Sequence, residues 1–167
     1  MVANIPDPAT EPSISLDQQL CLALYTASRA MTARYRIALT PLGLTYPQYL
    51  VMLLLWEDGP CSVGAIGQRL SLDSSTLSPL LKRLQALGLV TRTRSTTDER
   101  LMIIDLTEQG AALKAENADV GVEMRRATGQ TPAEYRELTD QLKALTARLE
   151  ASAVDAHDGA VGPRAVS

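Results

Sequence analysis

Cysteine and tyrosine are the residue types in this chain whose chemistry goes beyond packing. Cysteine occurs twice, as Cys21 and Cys61, in a chain that has five tyrosines and no phenylalanine. A thiolate held by hydrogen-bond donors attacks peroxides and disulfides. The same side chain on an apolar helix face is only a small hydrophobe. Tyr25 lies one helical turn beyond Cys21 on the same face and is a candidate donor. Tyr35 lies fourteen residues beyond it, about 21 Å along a continuous helix at 1.5 Å per residue, so within one chain it cannot touch the sulfur. Cys61 follows Gly59-Pro60 at an expected helix N-terminus, where amide dipoles favour an anion. The one histidine, His157, lies in a C-terminal stretch without periodicity. Neither a Cys-His pair nor a zinc-type ligand set can therefore be assembled, and the expectation is no metal, no cofactor, no catalytic site and no enzyme.

A second set of residues could bind a polyanion. The chain carries a net charge of −3, yet residues 69–100 hold six basic residues (Arg69, Lys82, Arg83, Arg92, Arg94, Arg100) against three acidic ones. Residues 105–167 hold seven basic and eleven acidic residues. Such segregation is expected where one region meets phosphate and the rest stays soluble, although lysine and arginine are also ordinary surface residues. Two widely separated cysteines do not make a disulfide framework. The N-terminal stretch MVANIPDPATEPS has neither a basic nor an apolar secretory segment, and no apolar run is long enough to span a bilayer. The expected compartment is the cytoplasm.

The elements that must position these residues follow from spacing. Residues 1–14 and 154–167 read as disordered tails. Ser15-Leu16-Asp17-Gln18 reads as a capping box opening a helix to about Leu39, with Cys21 in its second turn. Thr45-Tyr46-Pro47-Gln48 opens a second helix whose run YLVMLLLW is apolar all round, hence buried, and Gly59-Pro60 stops it. A short helix near Ser62–Leu70, a turn through Asp73 and a helix beginning near Ser75 and ending at Gly88 form a helix-turn-helix candidate. In the last of these Leu77, Leu80, Leu81, Leu84 and Leu87 share one face, which turns Ser74, Ser75, Ser78, Lys82 and Gln85 outward. Pro79 costs a backbone bond if it falls deep in that helix and little if the helix starts near Ser75.

Val90–Arg94 and Leu101–Leu106 alternate as two strands of a hairpin around the polar tip STTDER. Thr107 caps a helix to about Arg126, and Thr131-Pro132-Ala133-Glu134 opens a last one. Its Tyr135, Leu138, Leu142, Leu145 and Leu149 keep the three-and-four spacing of a helix seam, which fits a dimer interface or packing on its own domain. The fold expected is mainly α with a small β-hairpin wing. That is a winged helix-turn-helix over 45–106, flanked by dimerisation helices over 15–44 and 107–153. In such a fold Ser74, Ser75, Thr76 and Ser78 would face the major groove with Lys82 and Arg83, which position rather than specify. Arg92 and Arg94 would lie along the wing. Arg100 would enter the minor groove with Asp98 holding its guanidinium, unless the two form only a surface ion pair of little worth.

The order of elements, the stretch SLDSSTLSPLLKRLQALGLVTRTRSTTDERLMIIDLTEQG and its DER wing resemble the MarR family of repressors over about residues 16–150. Within that family, LDQQLCLALYTASRAMTARYRIALTPLGLTYPQYLVMLLLWED resembles the organic hydroperoxide sensors called OhrR. The resemblance implies a homodimeric repressor on an inverted-repeat DNA operator, which it leaves when Cys21, in its Gln-Leu-Cys context, is oxidised by an organic hydroperoxide. It also implies that Tyr35 and Tyr46 hydrogen-bond that cysteine. Given the 21 Å separation, Tyr35 would then come from the partner protomer, with two first helices crossing head to tail. Cys61 does not match the resolving cysteine of two-cysteine relatives and reads as structural. Oxidised Cys21 would then go on to a mixed disulfide with a small thiol or to a bond with a backbone nitrogen. The alternative is a family member released by a small aromatic ligand, with Cys21 as filler.

Overall fold

The apolar spacing of the chain is realised as seven helices and three short strands in a computed structural model that describes residues 15–115 and 117–159. They are α1 (Leu20–Ala38), α2 (Tyr46–Asp58), β1 (Cys61–Ser62), α3 (Val63–Leu70), α4 (Ser74–Ala86), β2 (Val90–Arg94), β3 (Met102–Leu106), α5 (Glu108–Ala112), α6 (Asn117–Thr128) and α7 (Pro132–Gly159). Two compact units are present, with the boundary inside α6 between Val120 and Gly121. No helix among the described residues is long and apolar enough to cross a membrane.

The core of the first unit gathers Val51, Met52 and Leu55 of α2, Ile66 of α3, Leu77, Leu81 and Leu84 of α4, and Val90 and Ile104 of the sheet, each at most 2% exposed. The all-round apolar run of α2 is largely buried, but not on every side: Leu50 and Leu53 are half-buried on a face that continues to the exposed Pro47 and Glu57, while the buried Gln48 side-chain oxygen accepts the Thr45 backbone N–H at 2.8 Å. At the start of α4 the Asp73 carboxylate accepts from the Thr76 amide at 2.8 Å, and Gly88 beyond its end takes φ 71°, the left-handed turn expected of a C′ glycine. With the first residue at Ser74, Pro79 falls in the second turn, where it forgoes one bond to the Ser75 carbonyl.

Several expectations are corrected. Ser15 makes no side-chain cap and leads only into a 3-10 turn over Leu16–Gln18. Residues 15–18 are all exposed, so no packing extends the helix over them, and extended Gln19 becomes the N-cap of α1. The wing hairpin gains a third strand. β1 takes the open edge of β3, with Cys61 opposite Ile104 and Ser62 opposite Ile103, giving the antiparallel order β1-β3-β2. Two residues are too few to show an alternating pattern.

The single helix expected from Thr107 to Arg126 is divided into α5 and α6. Lys114 and Ala115 donate their amides three residues back, to Ala111 and Ala112, which tightens the chain out of the α spiral. Side-chain and backbone bonds also tie α5 to α2 and to the base of the wing. In the second unit Glu134 accepts the Thr131 amide at 2.8 Å as the predicted capping box, and α7 runs on to Gly159, past the expected boundary at 153. The tail segments 1–14 and 160–167 and the side chain of His157 lie outside the described residues.

Candidate redox site and nucleic-acid interface

Because α1 begins at Leu20, Cys21 occupies its first turn rather than the second. It lies where free backbone amides and the positive end of the helix dipole favour an anion, and Gln19 supplies no side-chain cap to compete for them. The thiol is exposed. Among the described residues of its own chain, none makes a hydrogen bond to it. Tyr25, one turn on, is also exposed and is engaged instead by Arg29, whose Nη1 donates to the phenol oxygen at 3.2 Å and whose guanidinium carbon stands 5.6 Å from the ring centre.

Tyr35 and Tyr46 do come together, but far from their own Cys21. The last turns of α1 and the first turn of α2 place their rings 4.4 Å apart, both half-buried, with the buried Tyr49 ring 5.9 Å from Tyr35. Next to this pair an open groove of about 600 Å³ is lined by Ser28, Thr32, Arg36, Leu44, Tyr46 and Pro47 among others. Two phenols are thus presented at one end of α1 and one thiol at the other.

Cys61 has a different setting from the one expected. It lies on β1 ahead of Ser62, the N-cap of α3, and is not itself at the amide end of that helix. Partial burial pushes its thiol pKa up, and the Asp58 carboxylate adds to the effect. Both causes suppress the thiolate.

The residues predicted to bind a polyanion lie on one helix and one hairpin of the first unit. Along α4, Ser74, Ser75, Thr76, Lys82 and Arg83 are exposed and Ser78 is half-buried. The Asp73 cap draws Ser75 Oγ to 2.5 Å and Thr76 Oγ1 to 3.1 Å, and these bonds hold its carboxyl below the usual carboxylate range. On the wing Arg92 is half-buried opposite Ile104, and Arg94 is exposed, its Nη1 donating to the Glu99 carbonyl at 3.3 Å. Asp98 departs from expectation: its carboxylate accepts the backbone N–H of Arg100 at 3.0 Å, not the guanidinium. The tip is thereby a closed turn, with Leu101 N–H donating to Asp98 O at 2.9 Å, and the Arg100 side chain projects from it exposed.

Sequence reasoning passed over Trp56 and the first turn of α2. Trp56 is 7% exposed, and its Nε1 donates to the Gly110 carbonyl at 2.9 Å. The signal available was that a lone tryptophan inside an apolar helix must find an acceptor for its N–H. Thr45, Pro47 and Gln48 share a groove of about 280 Å³ with Thr76, Pro79 and Arg83, so the start of α2 flanks the outer side of α4. No periodicity in the sequence announces that contact.

Residues 35–116 match the family model described as transcriptional regulator SarA/Rot. The chain is 44% identical over 132 residues to the organic hydroperoxide resistance transcriptional regulator of Bacillus subtilis, covering 79% of this chain and 90% of that one. It is 48% identical over 139 residues to the HTH-type regulator TtmR of Methylorubrum extorquens, covering 83% and 71%. Among solved structures, reduced AbfR bound to DNA superposes with a TM-score of 0.66 at 36% identity, over 80% of this chain and 94% of that one. AbfR in overoxidised form on DNA matches equally well. Helix-turn-helix, three-stranded wing and flanking long helices define a winged helix-turn-helix transcriptional regulator. At this identity over this much of both chains, the protein belongs to the MarR family of transcriptional regulators.

Proposed function

We propose that this chain is a cytoplasmic homodimeric repressor that binds an inverted-repeat operator and releases it when an organic hydroperoxide oxidises Cys21. The observation that carries the reading is the placement of the thiol and the phenols. Cys21 stands exposed in the first turn of α1, while Tyr35 and Tyr46 stack 4.4 Å apart at the other end of the same helix. Two copies of α1 crossing head to tail bring each thiol to the partner's tyrosine pair, and the phenols donate to the thiolate. Exposed apolar side chains on α1 (Leu20, Tyr25 and Ile37, each 57% exposed) and on α7 (Leu138, Leu142, Leu149) supply surface for such a dimer. The names of relatives point the same way, toward hydroperoxide resistance and redox-modified, DNA-bound regulators, and do not favour the aromatic-ligand alternative.

The chemistry needs no cofactor. The Cys21 thiolate attacks the terminal oxygen of the hydroperoxide, a sulfur–oxygen bond forms, and the oxygen–oxygen bond breaks. The alkoxide leaves with the electron pair and takes a proton to become the alcohol, and sulfur is left as sulfenic acid. A small thiol then displaces hydroxide as water to give a mixed disulfide. Either product adds volume at a packed dimer interface, which tolerates it poorly. The event is one turnover per site, a switch rather than catalysis. On DNA, α4 enters the major groove through Ser74, Ser75, Thr76 and Ser78, with Lys82, Arg83, Arg92 and Arg94 on phosphate and Arg100 in the minor groove.

The decisive experiment is an operator-binding titration of the purified protein before and after cumene hydroperoxide, followed by mass spectrometry of Cys21. Release that tracks oxygen addition at Cys21 supports the reading. Release with an unmodified Cys21, or modification without release, overturns it.

A further inference from the structure

The tyrosine pair and the base of the wing are joined by a continuous run of contacts that passes through one indole. Tyr35 stacks on Tyr46 and lies 5.9 Å from Tyr49, and Tyr49 meets Trp56 edge-on, at 6.4 Å and 70°. On the other side, Trp56 Nε1 donates to the Gly110 carbonyl at 2.9 Å, and the Trp56 carbonyl accepts from Lys114 Nζ at 2.9 Å. Gly110 is buried directly against the Leu89 carbonyl, where a Cβ would overlap backbone. Its amide donates to Thr107 Oγ1 at 3.0 Å. That hydroxyl donates to the Gly88 carbonyl at 2.6 Å, and the Thr107 amide donates to Leu89 O at 3.1 Å. Gly88 and Leu89 lead into β2, and Thr107 follows β3, so both wing strands are anchored where this run ends.

We propose that Trp56 is the positioning residue that carries the state of the Cys21–tyrosine contact to the wing. The inference rests on the redox reading above and names how that site reaches DNA. When oxidation displaces the Tyr35 ring, the shift reaches the Tyr49 and Trp56 rings, which are buried, and packed interiors repack between discrete arrangements. The indole N–H is buried, so Trp56 either takes the Gly110 carbonyl with it or leaves an acceptor unpaired. Gly110 has no clearance from Leu89, so movement of α5 is passed to the root of β2 and β3. Arg94 and Arg100 ride on that hairpin, and a change in its angle removes them from the groove. The coupling is physical contact from end to end, with no gap to be bridged by correlated motion alone.

Trp56 is the one tryptophan in the chain, which makes the relay directly observable. In the operator-free dimer, cumene hydroperoxide should shift or quench Trp56 emission in the parent and leave it unmoved in Cys21→Ser. Trp56→Phe keeps an aromatic ring but loses the N–H donor. Its Cys21 should be oxidised at the parental rate by mass spectrometry, while half-release of operator should need at least about tenfold more peroxide, a factor equal to roughly 1.4 kcal/mol of lost coupling. Lys114→Met alters an exposed side chain and removes only the bond to the Trp56 carbonyl, so it should fold and show a smaller shift in the same direction. Parental peroxide sensitivity in both variants, or unmoved Trp56 emission while the parent leaves DNA, overturns the relay and leaves the redox reading standing. A parent that stays on DNA with Cys21 unmodified overturns both.

Discussion

Helices α4 and α1 have opposite economies. Within thirteen residues α4 buries Leu77, Leu80, Leu81 and Leu84, is capped by Asp73 and is stopped by Gly88. Helix α1 runs for nineteen residues, starts without a side-chain cap, and buries only Ala38. Burial of one large apolar side chain is worth about 1.5–3 kcal/mol, and α1 leaves Leu20, Tyr25 and Ile37 largely in water. Helix α4 is therefore finished inside its own chain, whereas the helix bearing the thiol leaves apolar surface open, which the proposed dimer would cover. Under the proposed reading, placing the sensor on the unfinished element lets chemistry at one sulfur act both on how two reading heads are held and, through Trp56, on the wing of each head.

That contrast can be broken by substitution. The largest effect is expected at Cys21→Ser, which keeps size and polarity but removes the nucleophile: operator binding should persist and release under cumene hydroperoxide should disappear. Cys61→Ser should respond like the parent. Loss of response in Cys61→Ser, or its retention in Cys21→Ser, would move the sensor off α1. Next, Leu81→Ala in α4 should lower unfolding stability by about 2–5 kcal/mol in urea titrations, as for other fully buried leucines. Leu142→Ala, exposed on α7, should instead raise the dimer dissociation constant in sedimentation measurements with helix content preserved. Equal losses of stability in both would erase the distinction between finished and unfinished elements.

Arg100→Ala should weaken operator binding on the order of tenfold and reduce the salt slope by about one, read in titrations across ionic strength. Unchanged affinity would remove the wing tip from the interface. Tyr35→Phe and Tyr46→Phe should each slow alkylation of Cys21 by roughly threefold to tenfold at neutral pH, since each removes one hydrogen bond to the thiolate. Alkylation at the parental rate in both would make these rings core residues only.

The smallest effect concerns pH. The Asp73 carboxyl is held below its ordinary value by Ser75 and Thr76, so its contribution to stability is present above about pH 4 and is lost as pH falls through the lower folded value. Asp73→Asn should flatten stability against pH in that acid range, and an unaltered profile would show that the cap contributes nothing.

Periodicity alone determined much of the molecule. The leucine face of α4, the apolar run of α2, Gly88 and the alternation of β2 and β3 are local patterns, and each is realised close to where its spacing placed it, except Leu87, which lies past the last turn of α4 and is 47% exposed. The segregation of basic residues onto α4 and the wing was equally legible, since charge can be counted without coordinates. Tertiary structure decided what depends on partners distant along the chain. Residues 15–18 carry a helix-start signal but have nothing to pack against, so α1 begins four residues later and Cys21 enters the first turn. β1 exists because β3 offers it an edge, and α5 ends where Trp56 and the wing base bind it. Asp98 turned to the Arg100 amide because a tight tip leaves the backbone donor nearer than the guanidinium. The run from Tyr35 through Trp56 to Gly110 spans 75 residues of sequence, and only the packing of α2 between α1 and α5 brings it together.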